Sequence, residues 1–393
     1  MRLVIDGLSA RRGGGQTYLL NLLTSFPYEG DEIILLVSPS FQLEIDVPAV
    51  QVARMGAWAE NPLLRVAWQR AELPRLLRRL RADVLFCPGG TLATRPPPGC
   101  RTATMFRNMI PFDAVARGHY PLGYSRVRNW LLERVFLSSM VRADLVIFIA
   151  DHARRIIEAR ASGRIHDAVV IPHGVAAGFF PGESVLARPA WIPEGGYLLY
   201  VSSIDYYKAQ HEVVKGYARL LAMRPGTTEH LVIAGPENDR RYAAIVREEI
   251  ARLGLQDRIL LAGPVPYAQL PALYRHATAH IFASQCENCP NILLESMASG
   301  RPVLCSDFPP MPDFGGEAVE YFDSQRPDHL AARAAELLDD PGLQRAIGER
   351  GRARAAGYDW QVSARATRDA LARLVTPAAS RAGTSCAHSA GDS

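Results

Sequence analysis

Glu287 and Glu295 are separated by seven residues in the stretch Ser284-Gln-Cys-Glu287-Asn-Cys-Pro290-Asn-Ile-Leu-Leu-Glu295, which continues as Ser-Met-Ala-Ser-Gly300-Arg-Pro302-Val. Pro290 suits the first position of a helix, where its missing N–H leaves no bond unmade. Gly300 suits the residue past a helix end, and Pro302 cannot continue one. The spacing therefore predicts a short helix over 290–299, directly after a buried strand. The amides of Asn291, Ile292 and Leu293 at its start would point into a cleft and could receive a diphosphate. Two carboxylates beside a phosphate site are unfavourable unless they accept hydrogen bonds from hydroxyls. A carboxylate takes a vicinal diol through both oxygens, and a ribose or a hexose offers such a diol. An ordinary helix start with two solvated glutamates is the plainer alternative.

Other residues could serve the same chemistry. The chain has 42 Arg and only two Lys, Lys208 and Lys215. An Arg-biased composition that keeps Lys208, soon after the apolar run 198–201, calls for a compact point charge there. Lys215, at helical spacing from it, reads as surface. The run Gly13-Gly14-Gly15 is neither G-x-G-x-x-G nor a P-loop, which argues against dinucleotide and nucleoside-triphosphate sites. Arg107, in Phe-Arg-Asn-Met-Ile-Pro-Phe, could stabilise charge near a reacting centre or bind an acceptor phosphate. His119 is a fallback polar candidate whose simpler reading is a surface loop. Cys286 and Cys289 have C-x-x-C spacing, but structural zinc needs a second pair and none follows.

These residues must be held by a scaffold, and the apolar pattern describes one. Short runs without alternation recur at 3–5, 33–37, 84–86, 145–149 and 169–171, then at 198–201, 231–234, 259–261, 280–283 and 303–305. Such runs are strands buried on both faces. Amphipathic segments at 63–80, 127–141, 213–223 and 242–253 lie between them, so the fold class is α/β with parallel sheets flanked by helices. Gly178 to Gly196 is dense in Gly and Pro and reads as a linker. The expected division is a first domain over 1–178, a linker over 179–196, a second domain over 197–358, a final helix over 359–376 and an unstructured tail over 377–393. Two doubly wound domains leave a cleft at the carboxyl ends of their strands.

Glu287, seven residues, Glu295, then Ser-Met-Ala-Ser-Gly-Arg-Pro-Val, resembles the donor-site motif of the family 4 glycosyltransferases. The resemblance implies a GT-B fold of two Rossmann-like domains, a UDP- or GDP-linked sugar as donor, transfer with retention, and neither an obligate metal nor another cofactor. By position it gives Glu295 to the ribose hydroxyls, Glu287 to the transferred sugar and Lys208 to the leaving diphosphate. Ser203 stands where relatives often place a helper Arg. Gly235 ends the run 231–234 with a turn where the nucleotide should lie, and the loop at Gly14 and Gly15 approaches the donor phosphates or the acceptor. Many relatives have a His near Arg107, and glycines where this chain has Asn288-Cys289. His173, before the linker, reads as hinge structure, and the final helix crosses back onto the first domain. A glycan or lipid-linked acceptor is expected. An epimerase of the same fold, or a degenerate nucleotide-binding partner subunit, is the alternative.

Charge and hydropathy narrow the setting. Residues 1–180 carry 22 Arg against 15 acidic groups, while the whole chain has a net charge of +4. A basic first half could face anionic lipid, with the arginines and leucines of 63–81 as the contact. No nucleic-acid motif accompanies the charge. The start has no signal-peptide pattern, and no apolar run approaches the ~20 residues of a membrane span. Scattered cysteines fit a reducing compartment. A cytoplasmic protein, at the inner face of the membrane if it meets lipid, is the expectation.

Overall fold

The computed structural model describes residues 1–11, 13–42, 44–120, 123–182 and 186–375. The first sheet holds β1 (Arg2–Asp6), β2 (Glu32–Val37), β3 (Val50–Arg54), β4 (Val84–Cys87), β5 (Arg101–Phe106), β6 (Leu145–Phe148) and β7 (Ala168–Val170), in the order β3-β2-β1-β4-β5-β6-β7. The second holds β8 (Tyr197–Val201), β9 (His230–Ala234), β10 (Ile259–Gly263), β11 (Ala279–Phe282), β12 (Val303–Ser306) and β13 (Glu320–Phe322), ordered β10-β9-β8-β11-β12-β13. The pairings are parallel throughout. Central strands such as VLFC in β4 and LVIF in β6 are buried along their whole length, because helices cover both faces.

Strand order reverses at β1, which pairs with both β2 and β4, and at β8, which pairs with both β9 and β11. Ligands of open α/β sheets bind beyond the carboxyl ends of strands at such switch points. The glycine-rich entry to the Gly14–Thr24 helix follows β1, and the turn bearing Lys208 follows β8. Topology thus places both on the sides where the two sheets can share a ligand.

Three strands left no continuous apolar run in the sequence. β3 is a half-exposed edge, β5 begins Arg-Thr-Ala-Thr, and β13 is a three-residue edge. The segment expected as one helix over 63–80 is two, Pro62–Ala71 and Leu73–Leu80. Pro74 sits in the first turn of the second, where its missing N–H is harmless, but it could not have continued the first. The final helix is Trp360–Ala372, capped by Asp359 on the Gln361 amide. It packs on the Gly14–Thr24 helix, and Arg368 bridges Glu29 at 2.7 Å and Asp31 at 2.9 Å. Gly174 is required where the chain passes between the sheets, since a Cβ there would stand 2.2 Å from the Trp360 amide nitrogen. The tail expected over 377–393 lies outside the described residues.

Candidate functional site

β11 delivers the chain to Glu287, and the helix that follows is Asn291–Ala298. Pro290 stands just before it (φ −80°, ψ 72°) rather than as its first residue, a one-residue correction. The Asn291 amide donates to the Cys289 carbonyl at 2.9 Å, so it is not open to a ligand as the sequence implied. No side chain caps this helix, and the amides of Ile292 and Leu293 stand in its first turn.

Lys208 ends the short turn Tyr206–Lys208, which Asp205 initiates by accepting from the Tyr206 amide at 2.8 Å. Its ammonium is buried and forms an ion pair with Glu287. The rings of Tyr207 and Phe282 lie 4.9 and 5.7 Å from it, and Tyr200 donates to its carbonyl at 2.6 Å. Burial is the largest influence and pulls the Lys208 pKa down, but the Glu287 carboxylate together with Tyr200 leaves it raised, so the ammonium stays charged. Gln210 braces the same loop, donating to Ser202 Oγ and the Ser203 carbonyl, each at 2.8 Å. Ser203 supplies no positive charge here.

Glu295 is buried within the helix, with the hydroxyls of Tyr274 and Tyr267 at 3.3 and 3.5 Å from its two oxygens. Burial pushes its pKa up to about 8, against the opposing pull of the two tyrosines. The plainer reading of two solvated glutamates therefore fails. Gly235 adopts φ +149°, and a Cβ on it would meet the Ser202 carbonyl oxygen at 2.0 Å, so only glycine lets the ends of β8 and β9 approach.

On the first sheet Arg107 turns toward the glycine loop. Its Nη2 donates to the Gly14 carbonyl at 2.7 Å, and its guanidinium lies 5.0 Å from the Tyr18 ring centre. Gly15 packs against Ala10, within reach of the same guanidinium. Arg107, Gly14 and Gly15 thus form one unit. His119 ends the Ala114–His119 helix, half-buried, rather than lying in an open loop.

Side chains that the sequence did not single out bridge the two sheets. Tyr120 donates to Asp205 Oδ1 at 2.7 Å, and Asn288 Nδ2 donates to the Phe106 carbonyl at 3.0 Å. His173 Nδ1 meets Asn291 Oδ1 at 3.1 Å and stacks on Trp360, with Tyr18 on its other contact. Burial and then the charge of Arg107 depress the His173 pKa to about 3, so the ring is neutral. Cys286 and Cys289 are free, buried thiols, and burial raises both, so neither is a reactive thiolate. Among the described residues no three His, Cys, Asp or Glu side chains gather as metal ligands. No helix is long and apolar enough to cross a membrane, among the same residues. A surface cavity of about 390 Å³ opens at the far end of the Asn291–Ala298 helix, between Pro181, Arg301 and Arg352, away from Glu287 and Lys208.

Comparison with known proteins fits this geometry. D-inositol 3-phosphate glycosyltransferase of Acidothermus cellulolyticus is 31% identical over 54% of this chain and 50% of its own length. O-antigen chain mannosyltransferase B of Escherichia coli is 24% identical over 66% of this chain and 67% of its own. The chain spans about half the length of several curated relatives it matches, 50% and 48% in two of them. Sucrose-phosphate synthase of Thermosynechococcus elongatus superposes with a TM-score of 0.74 at 17% identity, covering 95% of this chain and 98% of that one. Anabaena HepE, solved with UDP and glucose, gives 0.71 at 16% identity, covering 95% and 100%. These structural likenesses establish the GT-B fold. Residues 12–178 match glycosyltransferase family 4 and residues 187–354 match glycosyl transferases group 1. With both halves matched and both sheets in the GT-B arrangement, the chain belongs to the family 4 glycosyltransferases.

Proposed function

We propose that this protein transfers a sugar from a nucleoside diphosphate to an acceptor hydroxyl, with retention of configuration. The observation that carries the reading is the buried Lys208–Glu287 pair at the β8 switch point, beside the start of the helix that buries Glu295. Lys208 and the Ile292 and Leu293 amides would neutralise the departing diphosphate, Glu295 would hold the ribose, and Glu287 would contact the transferred sugar. Gly235, by letting the ends of β8 and β9 approach, would shape the turn against which the nucleotide lies. Arg107 would act from the first sheet through the glycine loop it holds. Retention without an evident nucleophile fits front-face attack, with the leaving phosphate taking the acceptor proton.

The donor is read as UDP- or GDP-linked. The UDP complex of Anabaena HepE supports a nucleotide sugar, and the mannosyltransferase relative supports cell-surface polysaccharide or glycolipid synthesis. A glycan or lipid-linked acceptor and a contact with the inner face of an anionic membrane complete the reading. The leucines of 63–81 do not all serve that contact, since Leu73 and Leu77 are core residues. No nucleic acid and no cofactor are called for.

A thermal-shift screen against UDP, GDP, ADP and CMP sugars tests the donor site. A ligand at ~100 times its Kd stabilises the protein by about 2.7 kcal/mol. A flat response to all of them overturns the reading. Product analysis without acceptor separates transfer from epimerisation.

A further inference from the structure

The Tyr124–Arg142 helix buries one side against the first sheet and leaves the other without a partner among the described residues. Val127, Trp130, Leu131 and Val135 on that outer side are 58%, 47%, 50% and 46% exposed. At 100° per residue these four fall within one arc, with Arg126 and Arg128 on its two margins. Arg134 lies inside the arc, its guanidinium 3.6 Å from the Trp130 ring centre. The helix's single acidic residue, Glu133, is turned inward to Arg117 and Arg160. The outer face is therefore apolar and cationic, with no carboxylate to balance it.

The neighbouring segments extend this surface. The β3→β4 and β5→β6 connections step toward the same edge of the sheet, so right-handed crossovers place their helices on the same face. The Pro62–Ala71 helix lies there, with Leu63 and Leu64 exposed, as do the exposed arginines 70, 75, 78, 79 and 81. A two-fold contact with a second copy would bring arginine against arginine. An anionic bilayer answers both features of the face. The Arg126 guanidinium is held by the Tyr120 and Gly118 carbonyls at 3.0 and 3.2 Å, so Arg128 and Arg134 would meet the headgroups, while an exposed indole and aliphatic side chains enter the headgroup–acyl boundary.

We propose that the outer face of the Tyr124–Arg142 helix is the surface by which this protein lies on an anionic membrane. The proposal rests on the membrane contact in the reading above and gives it a location. It does not depend on which donor binds.

The test is flotation of the full-length protein with phosphatidylcholine vesicles, with and without phosphatidylglycerol, together with Trp emission. The wild type should float with anionic vesicles at low salt, lose binding at high salt, and shift its emission to the blue. Trp130→Phe should remove most of that shift. The double change Arg128→Gln, Arg134→Gln should lower partitioning by about thirtyfold, and Trp130→Ser with Leu131→Ser should also weaken it. All variants should keep the wild-type thermal shift with nucleotide sugar, which shows that they fold. Equal binding to neutral and anionic vesicles, no binding at all, or variants that float like the wild type would overturn the proposal. So would a dimer in solution that the same substitutions dissociate. A failed nucleotide screen with normal flotation would sink the donor reading and leave this one standing.

Discussion

Buried Lys208 and half-buried Glu287, 79 positions apart in the chain, close an ion pair between the turn after β8 and the loop after β11. Each charge is compensated before any donor arrives, so a diphosphate that approaches Lys208 competes with Glu287 for it. Removing Glu287 alone leaves the buried Lys208 ammonium uncompensated, which is strongly unfavourable.

This competition predicts an unusual phenotype. Glu287→Gln should bind the free nucleoside diphosphate more tightly, by about tenfold for the loss of one charge-assisted bond, while kcat falls. Lys208→Ala should lose on the order of 10²–10³ in kcat, by analogy with removal of an oxyanion donor. Calorimetric titration of the nucleoside diphosphate, run beside steady-state kinetics, decides the point. Weaker diphosphate binding by Glu287→Gln would remove the counter-charge role.

Glu295 should couple donor binding to protons. Its folded pKa of about 8 lies above the ordinary carboxylate value, so the fold favours its neutral form. The associated stability is complete below about pH 4.5 and is lost as pH rises through 8. Ribose hydroxyls are held best by the ionised carboxylate. Donor binding near pH 7 should therefore release a proton, visible as a dependence of calorimetric enthalpy on buffer ionisation. Glu295→Gln should raise the melting temperature at pH 9 relative to wild type and also raise the donor KM, with kcat changed much less. Identical proton release by wild type and Glu295→Gln would reject the linkage.

Tyr120→Phe tests the bridge between the sheets. Tyr120 donates to Asp205, the residue that starts the Lys208 turn. Burial raises the Asp205 pKa, and the Tyr120 hydroxyl partly offsets that rise. Losing a bond to a charged group costs about 1.5–3 kcal/mol. The variant should melt lower and show a higher donor KM, with a larger radius of gyration in solution scattering. Unchanged scattering and unchanged KM would mean that the bond only packs the surface.

Turnover should survive chelation. Lys208 and the helix amides can carry the phosphate charge that a cation carries elsewhere. The measurement is initial rate with and without EDTA, and activity abolished by EDTA and restored by manganese would contradict it.

The strands buried on both faces were legible because every residue of 3–5, 84–86 or 145–149 must be apolar in such a place. β3 and β13 were not, since an edge strand needs no such run. Glu287, Glu295 and Lys208 stood out through spacing and residue type. Tyr120, Tyr267, Tyr274 and the Asn288–Phe106 contact did not. Those partners lie 85, 28, 21 and 182 positions apart, and no local pattern records a hydroxyl or amide that finds its acceptor only in the folded chain. Arg107 was legible as a functional residue type, but its turn back toward Gly14 depends on where β1 and β5 end in space.

The backbone passes between the two sheets twice, after β7 and again before Trp360, and the two passages run side by side, touching at Gly174 and Trp360. Two halves joined by chain at a single place have their natural pivot there. Opening of this molecule would then be a swing about that place, resisted by the Tyr120–Asp205 and Asn288–Phe106 bonds. Asn291, held through His173 beside Trp360, sits next to the pivot. The start of the Asn291–Ala298 helix would therefore travel little during such a swing, and the larger displacement falls to whatever lies farther from that place.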